Sequence, residues 1–287
     1  MNRAVAVVAC LLLLFCEAVP LAARAQKPTG VRAQVFTTTE ATGKQRFQVP
    51  QVRLADAAMA RRINRSIVRR ILRGVNADSV AVDTTASLAT QLRQAERECC
   101  GNKPAQGLTG CSYKILLNEH GLLSVELYYE YTGAYSCEET DHITLDMRTG
   151  RHLALADVVA DPPAQLRRRM HGAISRRFGE ALADMAMNGT DTADGSIVAE
   201  CFHWDRKAKR VLFQSDTGPR DEDRAAEPDL ESFALTSQEL RLYYGKVLPH
   251  AIQNLEPDGT YHFPFSRLQP RPLLQPLLTK PVKKVAR

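Results

Sequence analysis

Beyond Ala25 the chain contains no apolar run approaching the roughly 20 residues that a membrane-spanning helix needs. It also lacks His-Glu-x-x-His, Gly-x-Ser-x-Gly, and an Asp-Asp pair with His-x-x-x-His. The usual signatures of metallopeptidases, serine hydrolases and metal-dependent deacetylases are therefore missing. Its histidines, His120, His142, His152, His171, His203, His250 and His262, are scattered, as surface or satisfied core histidines are. Acid pairs such as Asp141 and Asp146 arise by chance in a chain with 32 acids. No internal repeat is present. The net charge of +6 does not describe a basic body, because Arg267, Arg271, Lys280, Lys283, Lys284 and Arg287 crowd the C-terminus without an acid among them. What remains is close to neutral, which excludes a nucleic-acid-binding body with one basic face.

What is present first is an export signal. Arg3 gives a short positive start, Ala4 to Phe15 is apolar through Leu11, Leu12, Leu13 and Leu14, and Ala23-Arg24-Ala25 supplies small residues for cleavage before Gln26. Cys10 precedes most of the apolar run and Cys16 follows the bulky Phe15, so neither suits lipidation. The expected localisation is periplasmic or secreted, with no transmembrane span after cleavage. With only two residues ahead of Arg3, no cytoplasmic segment is expected, and neither is a role as an anti-sigma factor. The mature chain from Gln26 is long enough for one large domain or two small ones.

Cys99, Cys100, Cys111, Cys137 and Cys201 survive processing and should pair in an oxidising compartment. Adjacent cysteines are poor partners, their Cα atoms lying about 3.8 Å apart, so Cys111 is expected to join Cys99 or Cys100, and Cys137 to join Cys201. The first bridge would close a loop worth roughly 3 kcal/mol. A zinc site from Cys99, Cys100 and Cys111 lacks a Cys-x-x-Cys spacing and a nearby His. No metal or cofactor is expected.

Alternation marks Val31 to Thr37 and Arg46 to Leu54 as strands. Asp56 caps a helix to Gly74 whose Ile63, Ile67, Ile71, Val68 and Leu72 form one face. Arg61, Arg62, Arg65, Arg69 and Arg70 form its solvated back, with an anion-binding stripe as the sharper alternative. Thr85 to Glu98 reads as a second helix. Tyr113 to Leu117 and Leu122 to Tyr131 make a hairpin about Asn118-Glu119-His120-Gly121. In the second strand Leu123, Val125, Leu127 and Tyr129 face one way, and Ser124, Glu126, Tyr128 and Glu130 the other. His142 to Met147 is a third strand, and a long helix runs from Pro163 to Met187 with Leu166, Met170, Ile174, Phe178 and Leu182 on its apolar face. Strands are expected near Lys209–Gln214, Phe233–Thr236, Leu240–Tyr244 and Thr260–Phe265, with a loop from Asp216 to Asp229. The sum is an α+β fold, an antiparallel sheet covered by two or three helices. The expected organisation is a signal peptide at 1–25, an N-terminal α/β part at 26–110, a sheet-and-helix part at 111–268, and a basic, Pro-rich, disordered tail at 269–287.

Tyr128-Tyr129-Glu130-Tyr131-Thr132-Gly133-Ala134, with Ile143, Leu145, Asp146, Thr149, Gly150, Leu153, Leu155 and Asp157 after it, forms one recognisable group. A second is Phe233, Leu235, Thr236, Leu240, Leu242, Tyr243 and Tyr244, then Tyr261, Phe263, Pro264, Phe265 and Leu268. Together, over about Tyr113 to Pro270, they resemble a bacterial extracytoplasmic domain family of unknown function. It is found in the lysozyme-binding outer domain of the anti-sigma factor RsiV and the non-catalytic region of the peptidoglycan deacetylase PdaC. The resemblance implies a non-catalytic binding or sensing module of the cell envelope, with a lysozyme-like protein or a peptidoglycan-like glycan as partner. The alternative is a cell-wall hydrolase or deacetylase without a recognisable motif. Tyr128, Glu130, Tyr131, Gly133 and Tyr135 are the candidate ligand-binding residues, an aromatic and acidic cluster suited to recognition, with Glu138, Glu139 and Asp141 following directly. Relatives often show Thr-Gly-Gly-Ala-His at this turn. Here Thr132-Gly133-Ala134-Tyr135 is one glycine shorter and lacks the histidine. The plainer alternative is that Thr132 and Gly133 simply end a strand and the aromatics pack on the sheet.

Overall fold

A computed structural model describes residues 32–42, 45–74, 90–91, 107–132, 136–188, 192–216, 224–245 and 247–278. The export signal and most of the Thr85–Glu98 helix lie outside them. Among the described residues no helix is long and apolar enough to cross a membrane.

The architecture is α+β, as the alternation and helical periodicity imply. The main sheet has six strands in chain order: β1 (Gln34–Thr42), β2 (Gln45–Arg53), β3 (Gly107–Glu119), β4 (Leu122–Thr132), β5 (Ser136–Asp146) and β6 (Arg151–His152). All neighbours are antiparallel except β2 and β3, which pair in parallel at Arg46–Gly110 and Phe47–Cys111. That pairing joins the N-terminal hairpin to the rest, so the expected boundary at 110/111 falls inside β3. The β3–β4 turn is tight because His120 and Gly121 both hold positive φ, 55° and 80°, matching the twist of a two-residue hairpin.

Each face of this sheet carries its own core. On one face Leu123, Val125, Leu127 and Tyr129 of β4 meet helix α1 (Ala57–Gly74), which inserts Ile63, Ile67, Ile71 and Leu72. Asp56 caps that helix, its Oδ1 accepting the Ala58 and Met59 N–H groups at 2.9 and 3.0 Å. Most arginines on the outer face of α1 are solvated. Arg70 instead forms a bidentate pair with Asp141 of β5, both bonds 2.5 Å, and Arg62 donates to Thr149 O.

On the opposite face lies a three-stranded sheet, β9 (Phe233–Leu235), β10 (Glu239–Tyr243) and β11 (Thr260–Pro264), in the order β11-β10-β9. Its core includes Leu122, Phe233, Leu235, Leu240, Leu242 and Tyr261, together with the apolar side of the long helix α3 (Pro163–Met187), Leu166, Met170, Ile174 and Phe178. Between these come the one-turn helix α2 (Leu155–Val158), then α4 (Thr192–Cys201), which the sequence did not announce, and the short hairpin β7 (Trp204–Asp205) and β8 (Arg210–Val211).

Two expectations change. Cys111 and Cys201 carry free thiols. Cys111 is enclosed in the α1-side core opposite Tyr129, and Cys201 packs against the other core. Cys99, Cys100 and the side chain of Cys137 lie outside the described residues, but neither expected bridge is made at Cys111 or Cys201. The C-terminal segment is also docked as far as Leu278: Pro270 bridges Val159, Asp161 accepts Gln269 N at 2.6 Å, and Leu274 and Leu277 of the last turns, including α5 (Gln275–Leu278), are buried. The stretch read as a tail therefore begins inside the fold.

Candidate functional site

The polar face of β4 is not a solvated face. Near its start, Ser124 and Thr144 of β5 are fully buried beneath β9. Leu235 N donates to Ser124 Oγ (3.0 Å), Ser124 Oγ lies 3.0 Å from Thr144 Oγ1, and Thr144 Oγ1 donates to Phe233 O (3.5 Å). The hydroxyls of the large sheet thus satisfy backbone groups of β9, which otherwise would be buried without partners.

Two residues further along, the two sheets part around a pocket of about 940 Å³. Glu126, Tyr128, Thr140 and His142 form its wall on the large sheet, and Tyr243 and Tyr244 on the small one. Tyr128 donates its hydroxyl to Glu126 Oε1, while Glu126 Oε2 lies 3.2 Å from His142 Nε2. The bond from His142 holds Glu126 below the usual carboxylate range despite partial burial, with Tyr128 adding to it. Desolvation and the bond to Glu126 push the Tyr128 phenol up to about 12. Glu126 is therefore a fixed negative acceptor and Tyr128 a neutral donor.

His142, only 3% exposed, stacks on Tyr243 with ring centroids 3.5 Å apart and planes within 12°. With Nε2 turned to an ionised carboxylate, Nε2 is the donor and Nδ1 the remaining ring nitrogen. Neither His142 Nδ1 nor the buried Tyr243 hydroxyl has a hydrogen-bond partner among the described residues. Burial raises the Tyr243 phenol well above its ordinary value, so it too stays a neutral donor.

The far wall is held by acids whose bonds are structural. Glu256 accepts Val247 N at 3.0 Å and Leu248 N at 3.4 Å. Glu227 accepts Ser215 N at 2.9 Å and pairs with His171 at 3.0 Å. Against the desolvation that would raise it, the Ser215 N–H and His171 keep Glu227 ionised. His171 in turn stacks on Phe213, centroids 3.8 Å apart. Gly259 lets the chain pass close to Tyr244, since a Cβ there would stand 2.6 Å from the Tyr244 carbonyl oxygen.

Of the described residues among the candidate ligand-binding set, Tyr128 lines this pocket and Glu130 and Tyr131 do not; Cys201, expected in a disulfide, lines it as well. Glu130 shares its strand face but lies across Gly110, where an added Cβ would meet its Oε2 at 2.7 Å. Tyr131 projects to the opposite face, against the α1-side core, its ring 6.3 Å from that of Tyr129. The expected Tyr128–Tyr131 cluster is thus divided by the sheet itself. Gly133 and Tyr135 lie outside the described residues. Asp141 and Asp146 are structural: Asp141 binds Arg70, and Asp146 accepts Arg148 N (2.9 Å) and the Thr149 hydroxyl (3.1 Å) in the turn after β5. Glu126, His142 and Tyr243 were passed over. The signal that would have found Glu126 and His142 is their direct pairing across β4 and β5, two positions along from the buried Ser124–Thr144 pair on the same face. Among the described residues no group of three or more His, Cys, Asp or Glu is arranged to hold a metal ion.

No family model matches this chain, and no curated protein matches it. Solved structures similar to it include a DUF3298 family protein from Pseudomonas aeruginosa PAO1, at 17% identity over 85% of this chain and 95% of that one, with a TM-score of 0.45. A member of the same family from Bacteroides fragilis NCTC 9343 is 16% identical over 86% of this chain and 97% of its own, with a TM-score of 0.44.

Proposed function

We propose that this protein is an extracytoplasmic, non-catalytic binding module of the cell envelope, and that a peptidoglycan-like glycan enters the pocket between the two sheets. The observation that carries this reading is the pair of buried polar atoms, His142 Nδ1 and the Tyr243 hydroxyl, which have no hydrogen-bond partner among the described residues and belong to side chains lining a pocket walled by tyrosines. Buried polar groups are normally satisfied, and a ligand that opens the His142–Tyr243 stack slightly would meet both atoms with its hydroxyl and amide groups. Tyrosine rings offer flat apolar surface to sugar faces and a polar tip to their hydroxyls. A general acid needs a raised carboxyl pKa, whereas Glu126 is held low, so it does not suit the role of proton donor to a glycosidic oxygen. Kinship with the outer domain of RsiV and the non-catalytic part of PdaC, periplasmic or secreted location, and cleavage of the export signal belong to the same proposal.

The test is retention on insoluble peptidoglycan. Wild type should be retained and Tyr128→Ala should be lost at equal stability, since Tyr128 is 36% exposed and contributes little to either core. Retention that survives the substitution, or no retention of wild type, rejects the glycan reading. Capture of lysozyme in place of glycan, through the exposed Glu138 on the same face of β5 as the pocket-lining Thr140, would move the reading to a cationic protein ligand.

A further inference from the structure

A second concavity, of about 780 Å³, lies along helix α3 where it passes β11. It is built differently from the pocket above. Arg168, Arg169, Arg176, Arg177 and Arg267 line it, with Glu180 as the one carboxylate. Its floor is Gly172 and Ala173, the helical positions between the two arginine pairs. An added Cβ on Gly172 would meet nothing within 4 Å, so the helix surface there is open. The groove exists because these small residues separate two pairs of long side chains.

Two of the arginines are fixed in place. Arg169 Nη1 donates to Arg267 O at 2.9 Å and to Asp161 at 3.2 Å. Arg177 donates to Asp258 O and, at 2.6 Å, to Thr260 O, and lies 4.4 Å from the centre of the Tyr261 ring. The acids nearby are engaged. Asp161 also binds Gln269 N, and Glu239 binds both Arg241 and His262 at 2.9 Å. Arg168, Arg176 and Arg267 have no hydrogen-bond or ion-pair partner for their guanidinium groups among the described residues, and all three are exposed. Five guanidinium groups thus line one trough; Asp161 and Asp258 pair with Arg169 and Arg177 at 3.2 and 3.8 Å and Glu180 adds a third carboxylate, which leaves two positive charges in excess, carried by the unpaired arginines.

We infer that this groove binds an extended, multiply charged phosphate ligand. Guanidinium groups match phosphate oxygens bidentately. Eight helical residues separate Arg168 from Arg176, about 12 Å along the axis. One small anion cannot reach both ends, but a chain of phosphates can. The site lies apart from the tyrosine-lined pocket and does not depend on what fills it.

The experiment titrates inorganic tripolyphosphate into the full chain at two salt concentrations, with calorimetry, and floats the protein with vesicles containing anionic phospholipid. Wild type should bind tripolyphosphate, more weakly at higher salt. Arg168→Glu/Arg176→Glu should bind at least tenfold more weakly with an unchanged thermal midpoint. Arg61→Glu/Arg65→Glu, an equal charge change on the outer face of α1, should bind as wild type. Flotation lost only in the groove variant identifies the phosphates as lipid headgroups, and tripolyphosphate binding without flotation identifies a free polyphosphate. Equal losses in both variants, an undiminished groove variant, or binding to neither probe overturns the inference.

Discussion

Ser124 and Thr144 sit on neighbouring strands, fully buried, and their hydroxyls serve the backbone of β9. Ser124→Ala removes only the hydroxyl and leaves Leu235 N–H buried without that partner. Urea unfolding should record a loss of about 1–3 kcal/mol. Cys111 belongs at this scale too. Burial pushes its thiol up to about 12, so it is a small apolar filler opposite Tyr129 rather than half of a disulfide. Compartment and spacing alone did not disclose that. What separates a packing cysteine from a bridging one is which side of the strand it occupies, and that depends on the register of β3 against β4.

Elements announced by their own periodicity were legible. Helix α3 spans Pro163–Met187 as its apolar spacing requires, and α1 begins at the cap supplied by Asp56. Asp56→Ala should lower stability by about 1 kcal/mol, read from the shift in the denaturation midpoint. Less legible was β5, which starts at Ser136, six residues before the expected His142. Glu138, Glu139 and Thr140 give no apolar alternation, and pairing with the whole of β4 holds them in the strand. The candidate site was half legible for a related reason. Alternation along β4 placed Glu126 and Tyr128 together and away from Tyr129. It did not reveal that β9 and β10 cover this face, because those strands lie more than a hundred residues further along the chain. That cover turns a polar strand face into a pocket and makes His142 and Tyr243 partners in a stack.

At the scale of the whole molecule, the carboxylates that tie elements together set the response to acid. Glu126, Asp157, Glu227 and Glu239 are all held below their ordinary values. Their stabilisation is fully present above the unfolded-state range, about pH 4 to 5, and is lost as pH falls through the depressed folded values. The thermal midpoint should therefore drop between about pH 5 and pH 3, and Glu126→Gln should flatten that dependence. A midpoint that rises over the same interval would contradict these assignments. The two surfaces proposed for recognition, the tyrosine-walled pocket between sheets and the arginine-lined groove along α3, belong to one body, and the pocket is the central one. Its direct test is calorimetric titration of soluble peptidoglycan fragments into wild type and Tyr243→Phe, paired with urea unfolding of both. Removal of a buried hydroxyl that no described residue uses should leave stability unchanged or slightly raised, while binding weakens about tenfold. Equal affinity in the two proteins, or a fold weakened by loss of that hydroxyl, would mean that the hydroxyl serves the structure and the pocket holds no such ligand.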